Sequence, residues 1–224
     1  MLRYISGYNR AMGLCRICSY LTGSGRGVIQ DAALRRLYPN GPRPAFRRFR
    51  GELKGRVLEV GSGTGVLFEE YPPGLALIGI EPDVDFLPLA REAAIRASAR
   101  VDPLRADAER MPFVDGVFDA VIVQLVLCSV QDPRRALAEI LRVLKPGGLL
   151  YVYEHVASSG GPYRWFQHFT APLVCWAAEG CHWNRDTGRL IRELPVQIES
   201  EERLALPVFP LPPIPVVNIV ARKR

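Results

Sequence analysis

No run of about 18 consecutive apolar residues occurs anywhere in the 224-residue sequence, so no transmembrane helix is expected. The segment before residue 30 lacks the continuous apolar stretch of a secretory signal, which makes a cytoplasmic protein the expectation. Cysteine is scarce and odd in number: Cys15, Cys18, Cys128, Cys175 and Cys181. Their scatter excludes a disulfide framework. Cys15 and Cys18 form a C-x-x-C, but no second Cys or His pair completes a zinc site, and both fall on the apolar face of a helical pattern. They are read as packing residues, and no structural metal is expected. No internal repeat is visible.

Acid is also in deficit, with 23 Asp and Glu against 29 Lys and Arg, a net charge of +6. Much of the excess lies in one block, Arg43, Arg47, Arg48, Arg50, Lys54 and Arg56, with Phe46 and Phe49 interleaved. The expected reading is a solvated helix face whose aromatics lead into the core. Peripheral membrane contact is the alternative, and no nucleic-acid partner is expected. With 48% hydrophobic and 23% charged residues, the composition is that of a soluble globular domain.

Two regions are expected. Residues 1–50 read as an N-terminal helical cap or lid: Leu2, Ile5, Tyr8, Met12 and Cys15 recur at helical spacing, and a short second helix follows at Asp31 to Tyr38. Residues 51–224 read as an α/β domain in which short apolar runs alternate with helical segments. Strands are expected at Val57–Val60, Leu75–Ile80, Arg100–Arg105, Val117–Val123 and Leu149–Val156. Helices are expected at Val66–Tyr71 and Val84–Ala99, and after Asp132. An aromatic insert near 160–181, with Tyr163, Trp165, Phe166, Phe169 and Trp176, precedes a helix at Asp186–Leu194 and two late strands, Val196–Leu206 and Ile214–Ala221. The whole predicts a Rossmann-like, doubly wound, mainly parallel seven-stranded sheet.

The first strand ends in Gly61, Ser62, Gly63, Thr64 and Gly65. Glycines there let a ligand approach the backbone, and the amides of a following helix would add donors and partial positive charge. Glu81 follows 20 residues after Gly61, at the end of the second strand, where a carboxylate can accept both hydroxyls of a ribose. The loop is G-x-G-x-G, without the last glycine of a dinucleotide fingerprint, which disfavours NAD and FAD. Glu59, just before it, suits a ligand carrying an ammonium group. S-adenosylmethionine offers a ribose, an adenine, a sulfonium and an amino-acid end, and fits this set.

Five segments, Leu58–Gly65, Gly79–Glu81, Ala106–Phe113, Phe118–Val121 and Arg142–Gly148, together resemble the class I S-adenosylmethionine-dependent methyltransferases. The resemblance covers about residues 50–155. It implies that S-adenosylmethionine is the cofactor, held by Glu59, Gly61, Ser62, Gly63, Gly65, Glu81 and Pro82. It implies further that Asp107 and the Ala108 amide meet the adenine, and that Gln124 and Leu125 line the methionine side. Asp119 is expected to be structural.

Three later stretches, Val126–Val130, Tyr153–Val156 and Gly180–Thr187, are similar to the methyltransferase-like alkyl thiol S-methyltransferases and their bacterial phospholipid-methyltransferase-like relatives. That likeness implies a small-molecule or lipid-like acceptor, with a thiol first and a phospholipid or natural-product amine or hydroxyl second. The chemistry is an in-line SN2 displacement at the sulfonium methyl, for which the protein must align the nucleophile and exclude water. Glu154, His155 and His182 are the candidate catalytic residues. His155 is the first candidate base, and the alternative is that it orients a loop. Cys128 is expected to form a pocket wall, since direct displacement needs no covalent intermediate. The aromatic insert is expected either to cover an apolar acceptor or to fill the core.

Overall fold

The computed structural model of the chain describes residues 43–178, 180–208 and 211–224, so the helices expected in the first 42 residues lie outside the described part. Among the described residues seven strands form one sheet in the order β3-β2-β1-β4-β5-β7-β6. They are β1 (Arg56–Val60), β2 (Ala76–Glu81), β3 (Arg100–Arg105), β4 (Phe118–Gln124), β5 (Leu144–His155), β6 (Val196–Val208) and β7 (Leu211–Lys223). The first five pair in parallel, and β7 enters antiparallel to both β5 and β6. The expected mixed, mainly parallel seven-stranded sheet is what forms.

β1 lies inside the sheet between β2 and β4, with Val57 to Val60 buried. A strand covered on both faces is apolar without alternation, and this one reads that way. Leu58, Val60, Val121, Val123, Leu150 and Val152 share one face of the sheet with helix α3 (Pro133–Val143). The buried residues of that helix, Ala136, Leu137, Ile140 and Val143, recur at helical spacing. Asp132 caps it, its carboxylate accepting from the Arg134 and Arg135 amides, and Pro133 occupies the first turn, where its missing N–H costs nothing.

The opposite face is covered by α1 (Arg43–Phe49) and α2 (Leu87–Arg96). Phe46 is fully buried and its ring meets Tyr71 and Tyr151 edge-on at 4.9 and 5.7 Å, while Phe49 stacks on Tyr151 at 4.7 Å. Each phenylalanine contributes roughly 2–3 kcal/mol of burial. The arginines between them face outward. Arg47 and Arg50 grip the buried Glu70, and Arg48 pairs with Glu202. The basic block is thus a solvated helix face with its aromatics in the core.

Three boundaries differ from the sequence reading. Val66–Tyr71 is a series of turns ending in a 3-10 turn at Phe68–Glu70, not an α-helix. Gly65 has φ +76, and Pro72 follows within a few residues, too short a span to repay helix nucleation. The donors of the loop are therefore individual amides, without a helix behind them. The Val84–Ala99 helix is confined to α2, ending one residue before an extended Ala97. Finally, β5 begins at Leu144. The Lys145–Gly148 turn is absorbed as an irregularity in its pairing with β4, where Phe118 aligns with Leu144 and Ala120 with Leu149.

Candidate cofactor and acceptor site

Strand order reverses between β1 and β4, because the chain winds outward to β2 and β3 before returning. In open α/β sheets that point leaves a crevice at the carboxyl ends of the strands. The segments expected to carry chemistry all emerge on this edge: Gly61–Gly65 after β1, Glu81 at the end of β2, Asp107 and Ala108 after β3, Gln124 and Leu125 at β4, and Glu154 and His155 closing β5.

Gly61, Gly63 and Gly65 all have positive φ, at +66, +54 and +76. The three do different work. A Cβ on Gly61 would lie 2.3 Å from Val126 Cγ2, so this glycine lets the β1 loop pass the β4 loop. A Cβ on Gly65 would strike the Phe68 ring and Ala93. A Cβ on Gly63 would meet nothing within 4 Å, so the space over the middle of the loop is open to a ligand. Glu81 is buried, and its oxygens accept from the Gly63 and Asp83 amides, both at 3.0 Å. Pro82, beside it, is exposed.

The polar groups that face the crevice are short of partners inside the chain. Among the described residues, Ser62 Oγ, one Glu59 carboxylate oxygen and both amide atoms of Gln124 are buried with no hydrogen-bond partner. Buried polar atoms in that state are costly, and a polar ligand is one way to satisfy them. Burial raises Glu59 to about 8, and the neighbouring Tyr71 hydroxyl offsets this only in part. Leu125 adopts φ +57, an uncommon conformation for a branched residue, with its amide donating to the Tyr153 carbonyl at 2.8 Å. Across the crevice Asp107 is exposed and forms a local turn, its Oδ1 accepting from the Glu109 amide at 2.8 Å, while Ala108 is buried. These groups fit S-adenosylmethionine: an acid for the ribose, an acid for the ammonium, amides and a polar loop for the adenine.

The candidate catalytic residues are not alike. Glu154 is fully buried. Its Oε1 accepts from the Val126 and Leu127 amides at 2.6 and 2.8 Å, and its Oε2 from the Cys128 amide at 3.3 Å. It holds the loop that follows β4. His155 is buried, with Nδ1 at 3.4 Å from Cys181 Sγ and 3.9 Å from Cys128 Sγ. His182 is half-buried, its Nε2 3.7 Å from Cys175 Sγ, and its amide donates to the Cys128 carbonyl at 2.8 Å. Burial and the Arg185 charge lower the pKa of His182. The structure therefore brings His155 and His182 to the same corner, between β5 and helix α4 (Gly161–Ala177), with Glu154 beneath them.

That corner is fixed by residues the sequence reading passed over. Gln167 is fully buried, donating to the Val156 and Trp183 carbonyls and accepting from the Ser158 amide. The Arg185 guanidinium donates to the Leu127 and Val130 carbonyls at 2.8 and 2.6 Å. Gln167 breaks the apolar character of the insert, and that was the available signal. The side chains of α4 divide: Tyr163 and Phe166 pack against the buried Trp183, while Trp165, Phe169, Leu173 and Trp176 are exposed on one helical face. Asp119 lies at the opposite end of the sheet, accepting from the Arg56 amide and Lys145. Burial works against its charge, but those donors hold its pKa below the usual carboxylate value.

Fold and edge together define a Rossmann-like nucleoside-cofactor enzyme. Comparison with known proteins narrows the class. Residues 58–152 match the methyltransferase domain family. The chain is 36% identical over 164 residues to the thiol S-methyltransferase TMT1B of Homo sapiens, covering 71% of this chain and 67% of that one. It is 36% identical over 110 residues to a phosphatidylethanolamine N-methyltransferase of Cereibacter sphaeroides, covering 48% of this chain and 54% of that one. The solved structure of a SAM-dependent methyltransferase from Thermotoga maritima superposes with a TM-score of 0.65 over 89% of this chain and 97% of that one. At 22% identity this speaks for the fold alone. The chain belongs to the class I S-adenosylmethionine-dependent methyltransferases, and its cofactor is S-adenosylmethionine. Across four mammalian thiol S-methyltransferases the aligned stretches span between 55% and 67% of the relative's length.

Proposed function

We propose that this chain methylates the sulfur of a small thiol. The observation that carries the reading is its likeness to the thiol S-methyltransferases, 36% identical over 71% of this chain. A chemical argument supports it. Glu154 is committed to three backbone amides, and His155 and His182 each face a cysteine sulfur. An acceptor that needs little help from a base suits such a site. A thiol ionises near pH 8.5, whereas an amine near 10.4 or an alcohol demands more.

In this reading Glu81 binds the ribose hydroxyls, and Asp107 with the Ala108 amide binds the adenine. Glu59 pairs with the ammonium group, and Gln124 and Leu125 set the depth of the methionine chain. S-adenosylmethionine, when bound, supplies an activated methyl and its own leaving group. The work of the protein is to align the thiolate sulfur with the methyl carbon and to keep water out.

The test is turnover of S-adenosylmethionine to S-adenosylhomocysteine with a panel of small thiols, with phosphatidylethanolamine and phenols alongside. Thiol-dependent turnover is expected. Turnover with only an amine or a hydroxyl acceptor overturns the thiol reading while leaving the cofactor untouched.

A lipid-like acceptor is the second reading, and one feature favours it. Trp165, Phe169, Leu173 and Trp176 stand exposed at i, i+4, i+8 and i+11 of α4, a face suited to a lipid interface. Among the described residues no helix is long and apolar enough to cross a membrane. Any contact made by this face would be peripheral. Binding to vesicles of phosphatidylethanolamine and phosphatidylglycerol, lost on Trp165→Ala with Phe169→Ala, is the outcome that supports it.

A further inference from the structure

Three soft metal-ligand atoms converge at the corner between β4, β5 and α4: Cys128 Sγ, His155 Nδ1 and Cys181 Sγ. All lie within 4.8 Å of one another, and all three residues are buried. They come from three separate segments, the loop after β4, the last residue of β5 and the turn after α4. Their meeting is a product of the fold, with no motif in the sequence to announce it.

The spacing suits one ion. Zinc binds sulfur at about 2.3 Å and imidazole nitrogen at about 2.0 Å, so in a tetrahedral site the sulfur-to-nitrogen edge is about 3.6 Å. The two observed edges, 3.4 Å from Cys181 and 3.9 Å from Cys128, straddle that value. Two thiolates and a neutral imidazole form a soft donor set that selects zinc over calcium or magnesium.

The donors are also held in place. The Cys128 amide donates to Glu154, and its carbonyl accepts from the His182 amide at 2.8 Å. Arg185 clasps the carbonyls on either side, of Leu127 and Val130, and Gln167 ties α4 to the Val156 and Trp183 carbonyls. Cys128, Cys181, Ala171, Trp183 and Ile214 form a separate apolar cluster around the two sulfurs. Surroundings that orient ligands in this way are typical of metal sites.

We propose that Cys128, His155 and Cys181 form a buried zinc site that fastens the turn after α4 to the sheet. The charge balance is favourable. Two thiols each give up a proton to solvent, and the two thiolates neutralise the dication, leaving a neutral centre in an apolar pocket. Three protein ligands leave a fourth position for water or an added small thiol. The site departs from the expectation of no structural metal, and it gives His155 a ligand's role in place of a base's. It does not depend on which acceptor is methylated.

The test is metal content of the full chain, loaded with zinc under reducing conditions and then desalted. About one zinc per chain is expected by mass spectrometry. Retention should fall at least tenfold in Cys128→Ser and Cys181→Ser, and stay unchanged in the Cys15→Ser, Cys18→Ser double variant. Because a serine variant can fail to fold, the unaltered chain is also loaded with cobalt. A thiolate-to-cobalt charge-transfer band with tetrahedral visible absorption is expected. No retained metal and no such band overturn the proposal. So do zinc that is lost with Cys15 and Cys18 instead, and a Cys128–Cys181 disulfide in the freshly purified chain that resists reduction.

Discussion

The Glu81 carboxylate accepts a hydrogen bond from the Gly63 amide at 3.0 Å, joining the acid at the end of β2 to the middle of the glycine loop after β1. A second bond from the Asp83 amide fixes its other oxygen. The acid is therefore aimed by the loop it serves.

Replacing Glu81 with alanine removes the proposed acceptor for two ribose hydroxyls and the bond to the Gly63 amide. Hydrogen bonds to a charged group are worth about 1.5–3 kcal/mol each. Affinity for S-adenosylmethionine should fall at least ~30-fold by isothermal titration calorimetry, and Glu81→Gln, which keeps one acceptor oxygen, should lose less. An unchanged Kd in the alanine variant would remove Glu81 from the cofactor site.

Gly61 and Gly63 should fail in different ways. Alanine at 61 meets Val126 Cγ2 at 2.3 Å as well as an unfavourable φ, so stability should drop by about 2–4 kcal/mol. Adding Val126→Ala should recover the steric part only. Alanine at 63 has open space around it, so it should cost only about 1–2 kcal/mol of stability, from φ alone, but weaken cofactor binding sharply. Thermal unfolding and calorimetry on the same three variants separate the two. Equal losses of stability at 61 and 63 would contradict the assignment.

Much of this architecture was legible in the sequence because its signals are local. The third strand, Arg100–Arg105, and the cap at Asp132 with Pro133 come from runs and caps that need no tertiary contact. The mainly parallel character of the sheet follows from alternating strands and helices. Less legible was the segment after Gly65, where the glycines that mark the loop also exclude the helix expected behind it. The corner around Glu154 and His155 was hidden for a different reason. Glu154, adjacent to His155 in sequence, reads as part of a catalytic pair. Its partners are amides some 26 to 28 residues away, and those of His155 are sulfurs at comparable separation. Periodicity carries no information about such contacts. The aromatics of α4 misled in the opposite sense, since composition suggested a cover and their spacing puts four large apolar side chains on an exposed face.

Glu154 should prove to be a positioning residue. Glutamine is isosteric, but its NH2 group would face an amide N–H that needs an acceptor, either those of Val126 and Leu127 or that of Cys128. A buried amide left without an acceptor costs about 1–3 kcal/mol. Glu154→Gln should therefore lower Tm and reduce turnover at every pH by a similar factor, with the shape of the pH–rate profile intact. A profile that loses one limb in the variant would instead identify Glu154 as an acid or base in the reaction.

The proposed pairing of Glu59 with the ammonium group ties cofactor binding to pH. Its folded pKa, near 8, lies above the unfolded value near 4.5, because burial disfavours the carboxylate. The folded chain thus holds a proton that the unfolded chain releases. The stability this contributes is complete below about pH 4.5. It declines by roughly 1.4 kcal/mol per pH unit as pH rises toward 8, and levels off beyond. Glu59→Gln cannot ionise, so its stability relative to the parent should improve between pH 5 and pH 9, measured by thermal unfolding. The ammonium end of the cofactor reverses the preference, since a nearby cation favours the carboxylate. Binding near pH 7 should then expel about one proton from the parent and almost none from Glu59→Gln, read by calorimetry in two buffers of different ionisation enthalpy. Parent affinity should rise with pH between 6 and 8. Binding without proton release, together with a stability difference that ignores pH, would mean that Glu59 is already charged at neutrality, and its pairing with the ammonium group would then leave no mark on the pH dependence.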